Sequence, residues 1–329
     1  MYVGIDLHKV YLNAAVLDDE GNVLRETKVM CEPDKVREFS SSISIGSKVV
    51  IESSSTWYWA YRMLSERHEV ILSNPLKTKA IASAKVKTDK VDALTLANLL
   101  RGGYIPECYV PPKETMELRE LVRYRARLVR TRTLMKNGIH AYLLMYNVKI
   151  GSNPFTKDFI RRLRDIGDPK VDGYLNVIET LNDEIDKASR TIEVQAGDNE
   201  YAKLLMTIPG ISYYTALLLT SEIGDINRFP DSYHLVSYAG LSPSTHSSGG
   251  NTYHGGITKQ GSPYLRWALN QVTWAHIRNE PDGTVAEFYH KLAKKKGSAI
   301  AIVAASAKLL KIIYWVLKEN RPYVRRNYG

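Results

Sequence analysis

Cysteine is scarce in this chain, with two residues in 329, Cys31 and Cys108, far apart and outside any CxxC or Cys/His pairing. Their scarcity excludes a disulfide framework and a thiolate zinc site, and it fits a reducing, cytoplasmic setting. Nothing at the start resembles a basic then apolar secretory leader, because the chain opens on strand-like residues. The most apolar late stretch, Ala299 to Leu317, carries Lys308 and Lys311 in mid-span, so it reads as a buried helix and no membrane partner is expected. A sugar-kinase-like ATPase also begins with a strand ending Gly-Ile-Asp, but no Gly-rich phosphate loop follows here. Acidic residues are in the minority: 45 Lys and Arg face 35 Asp and Glu, a formal charge of +10, and such a surface favours a polyanion, by default nucleic acid. The length predicts two or three domains, and 44% apolar residues are enough to fill their cores.

Residues 1–108 alternate strand and helix patterns. Tyr2 to Asp6, Tyr11 to Leu17 and Val23 to Val29 read as three strands in a meander, with Asp18-Asp19-Glu20-Gly21 as a turn. A helix over Asp34 to Ser42, a strand Lys48 to Glu52, a helix near Trp57 to Glu66, a strand Val70 to Ser73 and a helix from Asp89 to Arg101 follow. That order predicts a ribonuclease H-like α/β domain with a mixed sheet. Over 109–197 the period changes: Leu121, Leu128, Met135 and Tyr142 recur at seven beside Val122, Val129 and Leu143, and Ile178, Ile185 and Ile192 recur beside Tyr174, Leu181 and Ala188. Two coiled-coil arms are expected, joined by a loop near Gly151 to Pro154, and they form either an intramolecular hairpin or an oligomerising seam. After the break at Ala196 to Asn199, residues 198–329 read as mostly helical, with a Ser/Gly-rich loop from Ser242 to Gly256.

Four acids stand out. Asp6 and Glu52 each end a strand, and Asp89 and Asp92 lie three apart at a helix start, on one face. Gathered at one sheet edge they would repel, unless hard divalent cations, Mg²⁺ or Mn²⁺, bind them and serve an in-line phosphodiester cleavage. Singly, Asp89 could be a helix cap, Asp92 a first-turn dipole partner, and the other two solvated strand ends. Arg119, Arg123, Arg127 and Arg130, joined by Arg125, Arg132 and Lys136, give one helix a dense basic surface suited to phosphates, or else to ion pairs with Glu179, Glu184 and Asp186. Ile208-Pro209-Gly210-Ile211 has the form of a helix-hairpin-helix turn, whose glycine could expose backbone N–H groups to a phosphate, or of a plain helix corner. Ser247 and Ser248 precede Gly249 and Gly250, with His246, His254, Lys259 and Arg266 near in sequence; a serine so placed could approach a phosphate, or the loop could be structural.

Taken together, these residues resemble the DEDD transposases of bacterial and archaeal insertion sequences, the IS-one-ten family. Tyr2-Val3-Gly4-Ile5-Asp6, Ile51-Glu52-Ser53-Ser54 and Lys87-Thr88-Asp89-Lys90-Val91-Asp92-Ala93 are similar to its RuvC-like domain. Ile208-Pro209-Gly210-Ile211, Tyr238-Ala239-Gly240-Leu241 and Ser248-Gly249 are similar to its C-terminal transposase domain. The resemblance implies that Asp6, Glu52, Asp89 and Asp92 bind Mg²⁺ and that Ser248, in register with Gly249, forms a phosphoserine link to DNA. It also implies recombination of element ends with a target, guidance by a bridge RNA, and a homo-oligomer, a dimer or tetramer, in which the carboxylate domain of one subunit meets the serine domain of another. Two other readings remain: a metal-dependent nuclease of the junction-resolving kind, which would form no covalent adduct, and a noncatalytic nucleic-acid-binding protein.

Overall fold

Strands with apolar residues on both faces become the centre of a sheet, and the first strand has that pattern. The computed structural model describes residues 1–82, 89–148, 155–248 and 251–325, and for Lys90, 245–248 and 251–254 the backbone alone. The chain divides into two compact units, Met1–Val110 and Pro111–Gly329.

In the first unit β1 (Tyr2–Leu7), β2 (Tyr11–Leu17), β3 (Val23–Met30), β4 (Lys48–Glu52) and β5 (Glu69–Ser73) form one mixed sheet in the order β3-β2-β1-β4-β5. The first three strands are an antiparallel meander, and β4 and β5 join parallel to β1. Val3, Ile5, Leu12, Val16, Val49 and Ile51 point to one face, where α1 (Pro33–Ser42) and α2 (Trp57–Leu64) cover them with Val36, Phe39, Ala60 and Leu64. The alternate residues Ala15, Leu17 and Val50 point to the other face and pack on Ala93, Leu96 and Ala97 of α4 (Asp89–Arg101). A short helix, α3 (Pro75–Ile81), starts on an Asn74 cap and a first-turn proline, a start signal that the strand-to-strand reading passes over.

Helix α4 lies unusually close to the sheet. A Cβ added to Gly4 would stand 2.1 Å from the carbonyl oxygen of Ala93 and 2.4 Å from the amide nitrogen of Ala97. Only glycine at that point lets the two backbones touch, as it does wherever chain must approach chain.

The second unit starts with α5 (Lys113–Met145), which runs antiparallel to α7 (Pro169–Asp198), as the pairs Arg125 with Ser189 and Arg132 with Asn182 require. The pairing is an intramolecular helical hairpin. Its buried seam runs through Val122, Ile139 and Leu143 against Leu175, Ile178, Ile185 and Ile192, while Leu121, Leu128, Met135 and Tyr142 of the heptad series are only half-buried. At the distal end α6 (Lys157–Asp165) adds Phe159 and Leu163. At the other end Val122, Ile192 and Ala196 enter the main core with α8 (Glu200–Met206), α9 (Tyr213–Ile223), α10 (Ser232–Tyr238), α11 (Pro263–Asn279), α12 (Thr284–Lys296) and α13 (Ser298–Lys318).

Helix α13 is long and apolar enough to cross a membrane by composition, yet Ala305, Leu309, Leu310, Ile313 and Tyr314 are buried in this core, as expected for a core helix. The stretch expected to be a Ser/Gly loop forms an antiparallel hairpin, β6 (Pro243–Ser248) with β7 (Asn251–Ile257), in register from Pro243 opposite Ile257 to Ser248 opposite Asn251.

Gly4→Ala should force α4 off the sheet and lower the stability of the first unit by about 1–3 kcal/mol, the range for overpacked interiors. Urea unfolding checks this, and an unchanged midpoint would contradict the close approach.

Candidate metal centre

The period-two alternation that puts Gly4 under α4 puts Asp6 on the same face, two residues on. Ile5 pairs with Ile51 across the parallel β1–β4 ladder, so Asp6 and Glu52, one residue beyond on adjacent strands, share the sheet end and the α4 face. Neighbouring strands run ~4.8 Å apart, which sets the scale of that separation. Asp89 and Asp92 occupy the first turn of α4, the end of the helix above this edge.

Asp6 and Asp89 are bridged by a histidine that the sequence reading did not single out. The Nε2 of His8 stands 2.9 Å from Asp6 Oδ2 and 3.3 Å from Asp89 Oδ2. One ligand atom from each of Asp6, His8 and Asp89 lies within 4.8 Å of the other two. The Tyr11 hydroxyl donates to Asp89 Oδ2 at 3.0 Å, and the Lys28 ammonium sits 3.6 Å from the centre of the Tyr11 ring. A signal for His8 existed: it follows β1 directly, two residues from Asp6, near enough in sequence for its ring to reach the same strand end.

Burial raises the Asp6 carboxyl above its ordinary value, His8 opposes the rise, and the charges of Asp89 and Asp92 add to it. These two acids are therefore electrostatic neighbours of Asp6. A set of carboxylates rich in hard oxygen donors, with one imidazole at its rim, suits a small divalent cation, whose charge would offset the repulsion.

The basic helix is divided in its duties. Arg119, 9% exposed, donates through Nε and Nη2 to the backbone carbonyl of Ser221 at 3.0 and 2.7 Å. Arg123 grips Glu222, which is 1% exposed, through a two-pronged pair at 2.7 and 2.9 Å. Burial alone would lower the Arg123 pKa, but the Glu222 carboxylate holds it above its ordinary value. These two arginines therefore neutralise and cap the interior of α9, and the partner is Glu222 of α9 and not the acids of α7. Arg125 donates to Ser189 Oγ at 2.7 Å, and Arg132 to Asn182 at 2.7 Å. Lys136 lies over the Phe155 ring, where burial lowers its pKa. Arg127 and Arg130 face solvent.

Gly210 has a φ of +93° in the turn between α8 and α9, and a Cβ there would stand 2.6 Å from the His276 amide nitrogen, while His276 Nδ1 meets the Pro209 carbonyl at 2.8 Å. The turn is thus packed on α11. Lys259 is exposed, and Arg266 donates to the carbonyls of Ala239 and Gly261, tying α11 to the base of the hairpin. Ser247 and Ser248 take the last two register positions of β6; their side chains, those of His246 and His254, and all of Gly249, Lys87 and Thr88 lie outside the described residues, as does the expected loop at 151–154.

Residues 3–148 match the DEDD transposase model of the IS110 type, and residues 202–290 match the Transposase IS116/IS110/IS902 family. The chain is 32% identical to the pilin gene-inverting protein of Moraxella bovis, over 84% of this chain and 82% of that protein. It is 26% identical to the transposase for insertion sequence element IS1111A of Coxiella burnetii, over 98% of this chain and 90% of the relative. It is 27% identical to the transposase for insertion sequence element IS1328 of Yersinia enterocolitica, over 97% of each. A mixed sheet gathering carboxylates beneath one helix, in a basic chain with these relatives, defines a DEDD-type DNA transposase, an enzyme of DNA recombination. The chain belongs to the IS116/IS110/IS902 transposase family.

Two outcomes follow from the geometry. Because folded Asp6 holds its proton more tightly than the unfolded chain does, its contribution to stability is intact below its ordinary value of 3.8 and is lost as pH rises through the raised folded value. Metal-free protein should therefore lose thermal stability over that rise. Mn²⁺ should restore it near neutrality by preferential binding to the folded state, and Asp6→Asn should remove both effects; a melting temperature indifferent to pH, Mn²⁺ and the substitution would contradict the cluster. In the second unit, Arg123→Met should leave Glu222 buried without its main partner and cost about 3–5 kcal/mol, read by chemical unfolding, whereas a cost within experimental scatter would show the pair to be dispensable.

Proposed function

We propose that this transposase cuts and rejoins DNA through Ser248, with Asp6, Glu52, Asp89 and Asp92 holding Mg²⁺. The observation that carries the reading is the meeting of Asp6, His8 and Asp89 within 4.8 Å at the edge where Glu52 and Asp92 also lie. A divalent cation held by Asp6, Glu52, Asp89 and Asp92 would supply charge stabilisation for the phosphate under attack and would favour ionisation of a hydroxyl beside it. The RuvC-like reading of the first unit supports the same assignment, since its sheet order brings the first and fourth strands side by side.

Ser248 Oγ attacks phosphorus, forming an ester to the enzyme while the bond from phosphorus to a deoxyribose oxygen breaks. The serine proton leaves, and the departing oxygen takes one up as a hydroxyl. Attack by another strand's hydroxyl reverses the step and frees the serine, so the number of phosphodiester bonds is conserved and no nucleotide cofactor is needed. A serine hydroxyl is a weak nucleophile at neutral pH and needs a base or a cation beside it. His8 and Tyr11 orient Asp6 and Asp89 through the hydrogen bonds already described. Ser248 takes the last register position of β6, and a serine beside paired glycines can approach a phosphate closely.

The carboxylates and the serine act across subunits of a dimer or tetramer, and a bridge RNA selects the DNA. Arg127, Arg130 and Lys259 are exposed cations suited to phosphate contact, while Arg125, Arg132, Lys136, Gly210 and Arg266 border the surface with local partners of their own. The nuclease reading predicts hydrolysis without an adduct.

Ser248→Ala should abolish the covalent protein–DNA adduct while leaving folding and DNA binding intact, and Asp92→Ala should abolish it too. Mixing the two variants should restore part of the activity if the site is shared between subunits. An adduct that survives Ser248→Ala and disappears in Ser247→Ala would move the nucleophile by one residue, and none in active wild type would favour the hydrolytic nuclease.

A further inference from the structure

The second unit contains a groove of about 550 Å³ between the middle of α5 and the first turns of α11. Arg125, Arg127, Arg130 and Leu134 line one wall, Tyr264 and Trp267 the other, and among the described residues no acidic one lines it. Trp267 is 46% exposed and Leu134 55% exposed, an apolar surface that a folded monomer leaves wet. Tyr264 and Trp267 are three apart on one helix and so share a face.

The cations beside this surface are held in place. Arg125 is fixed by its bond to Ser189 and stacks 4.0 Å from the centre of the Tyr214 ring, and Arg123 stands 5.1 Å from the centre of the Tyr264 ring. Arg127 pairs with the exposed Glu120 at 3.3 Å, a pairing that a phosphate would displace at little cost. A ligand suited to the groove has a flat apolar part beside an anionic part.

We propose that this groove takes the unpaired bases of a DNA strand, with Trp267 stacking on a base and Arg127 and Arg130 holding the flanking phosphates. Aromatic side chains beside a cationic track are the general means of gripping single strands without reading sequence. Duplex DNA offers phosphates to such a track but keeps its base faces stacked inside. A transposase that cuts and rejoins DNA handles strand ends, where bases can be unpaired. The proposal rests on that action on DNA and does not depend on which serine or which acids do the chemistry.

The test measures binding of a labelled oligothymidylate, and of a duplex of the same length, to the full chain without added divalent cation. Trp267→Ala should weaken the single strand about tenfold, the effect of losing one stacked base, and leave the duplex unchanged, while Trp267→Phe keeps most of the affinity. Quenching of tryptophan fluorescence by the oligonucleotide should shrink in Trp267→Phe. Arg127→Ala should flatten the salt dependence of single-strand binding by about 0.7 in log units. Equal losses on single strand and duplex, no loss in Trp267→Ala, or a groove that binds oligouridylate in preference to oligothymidylate would each overturn the proposal. Wild-type protein that binds neither DNA would instead overturn the action on DNA on which it rests.

Discussion

Helix α4 can settle on the sheet only where β1 has no side chain to hold it away. Gly4 provides that gap, with the Ala93 carbonyl and Ala97 amide resting where a Cβ would be. The first turn of the helix is then brought over the strand ends, and Asp89 comes to share one small volume with Asp6 and His8, with Asp92 near enough to act on Asp6 by its charge. Burial raises the Asp6 carboxyl above its ordinary value, and the charges of Asp89 and Asp92 add to the rise. Such a cluster persists because the sheet and helix fix it, and a fixed group of mutually repelling oxygens is what a divalent cation stabilises.

The second unit depends on a different constraint. Helix α9 is buried from Tyr214 to Ile223 almost without interruption, yet it carries Glu222. A carboxylate there would be costly unless paired, and α5 supplies Arg123 as its two-pronged partner and Arg119 for the adjacent carbonyls. The long basic helix thus docks the helical arms onto the core at one end with two of its arginines, leaving others along its length exposed. The same helix is therefore both a structural brace and a wall of the groove that faces Trp267.

Much of the first unit was legible in the sequence because its signals are local. Strands β2 and β4 and helix α4 have the bounds that alternation and helical periodicity predict, and the placement of acids at a strand end and a helix start follows from them. His8 and Tyr11 were not read as parts of the site, because their value lies in which acids they touch, and Tyr11 reaches Asp89 across 78 residues. The same limit applies to the basic stripe: the arginines are evident, but Glu222 lies 99 residues from Arg123, so spacing on α5 cannot separate braces from exposed cations. The β6–β7 hairpin escaped because its residues are mostly small and polar, with no apolar face to mark a strand. The helical arms showed their heptads: on α7 the series Ile178, Ile185 and Ile192 is the buried seam, whereas on α5 the antiparallel pairing buries Val122 and Leu143 beside the emphasised series of Leu121, Leu128, Met135 and Tyr142.

The proposed chemistry depends on a single cation site at the edge of the first unit's sheet. Diffraction from crystals grown with Mn²⁺, using the anomalous signal of the metal, tests it most directly. Manganese should appear with carboxylate oxygens of Asp6 and Asp89 at roughly 2 Å, the ligand distance of a small hard cation, with Glu52 and Asp92 around it. Manganese bound elsewhere, or Asp6 and Asp89 carboxyl groups held apart by several times that distance, roughly 10 Å or more, would contradict it.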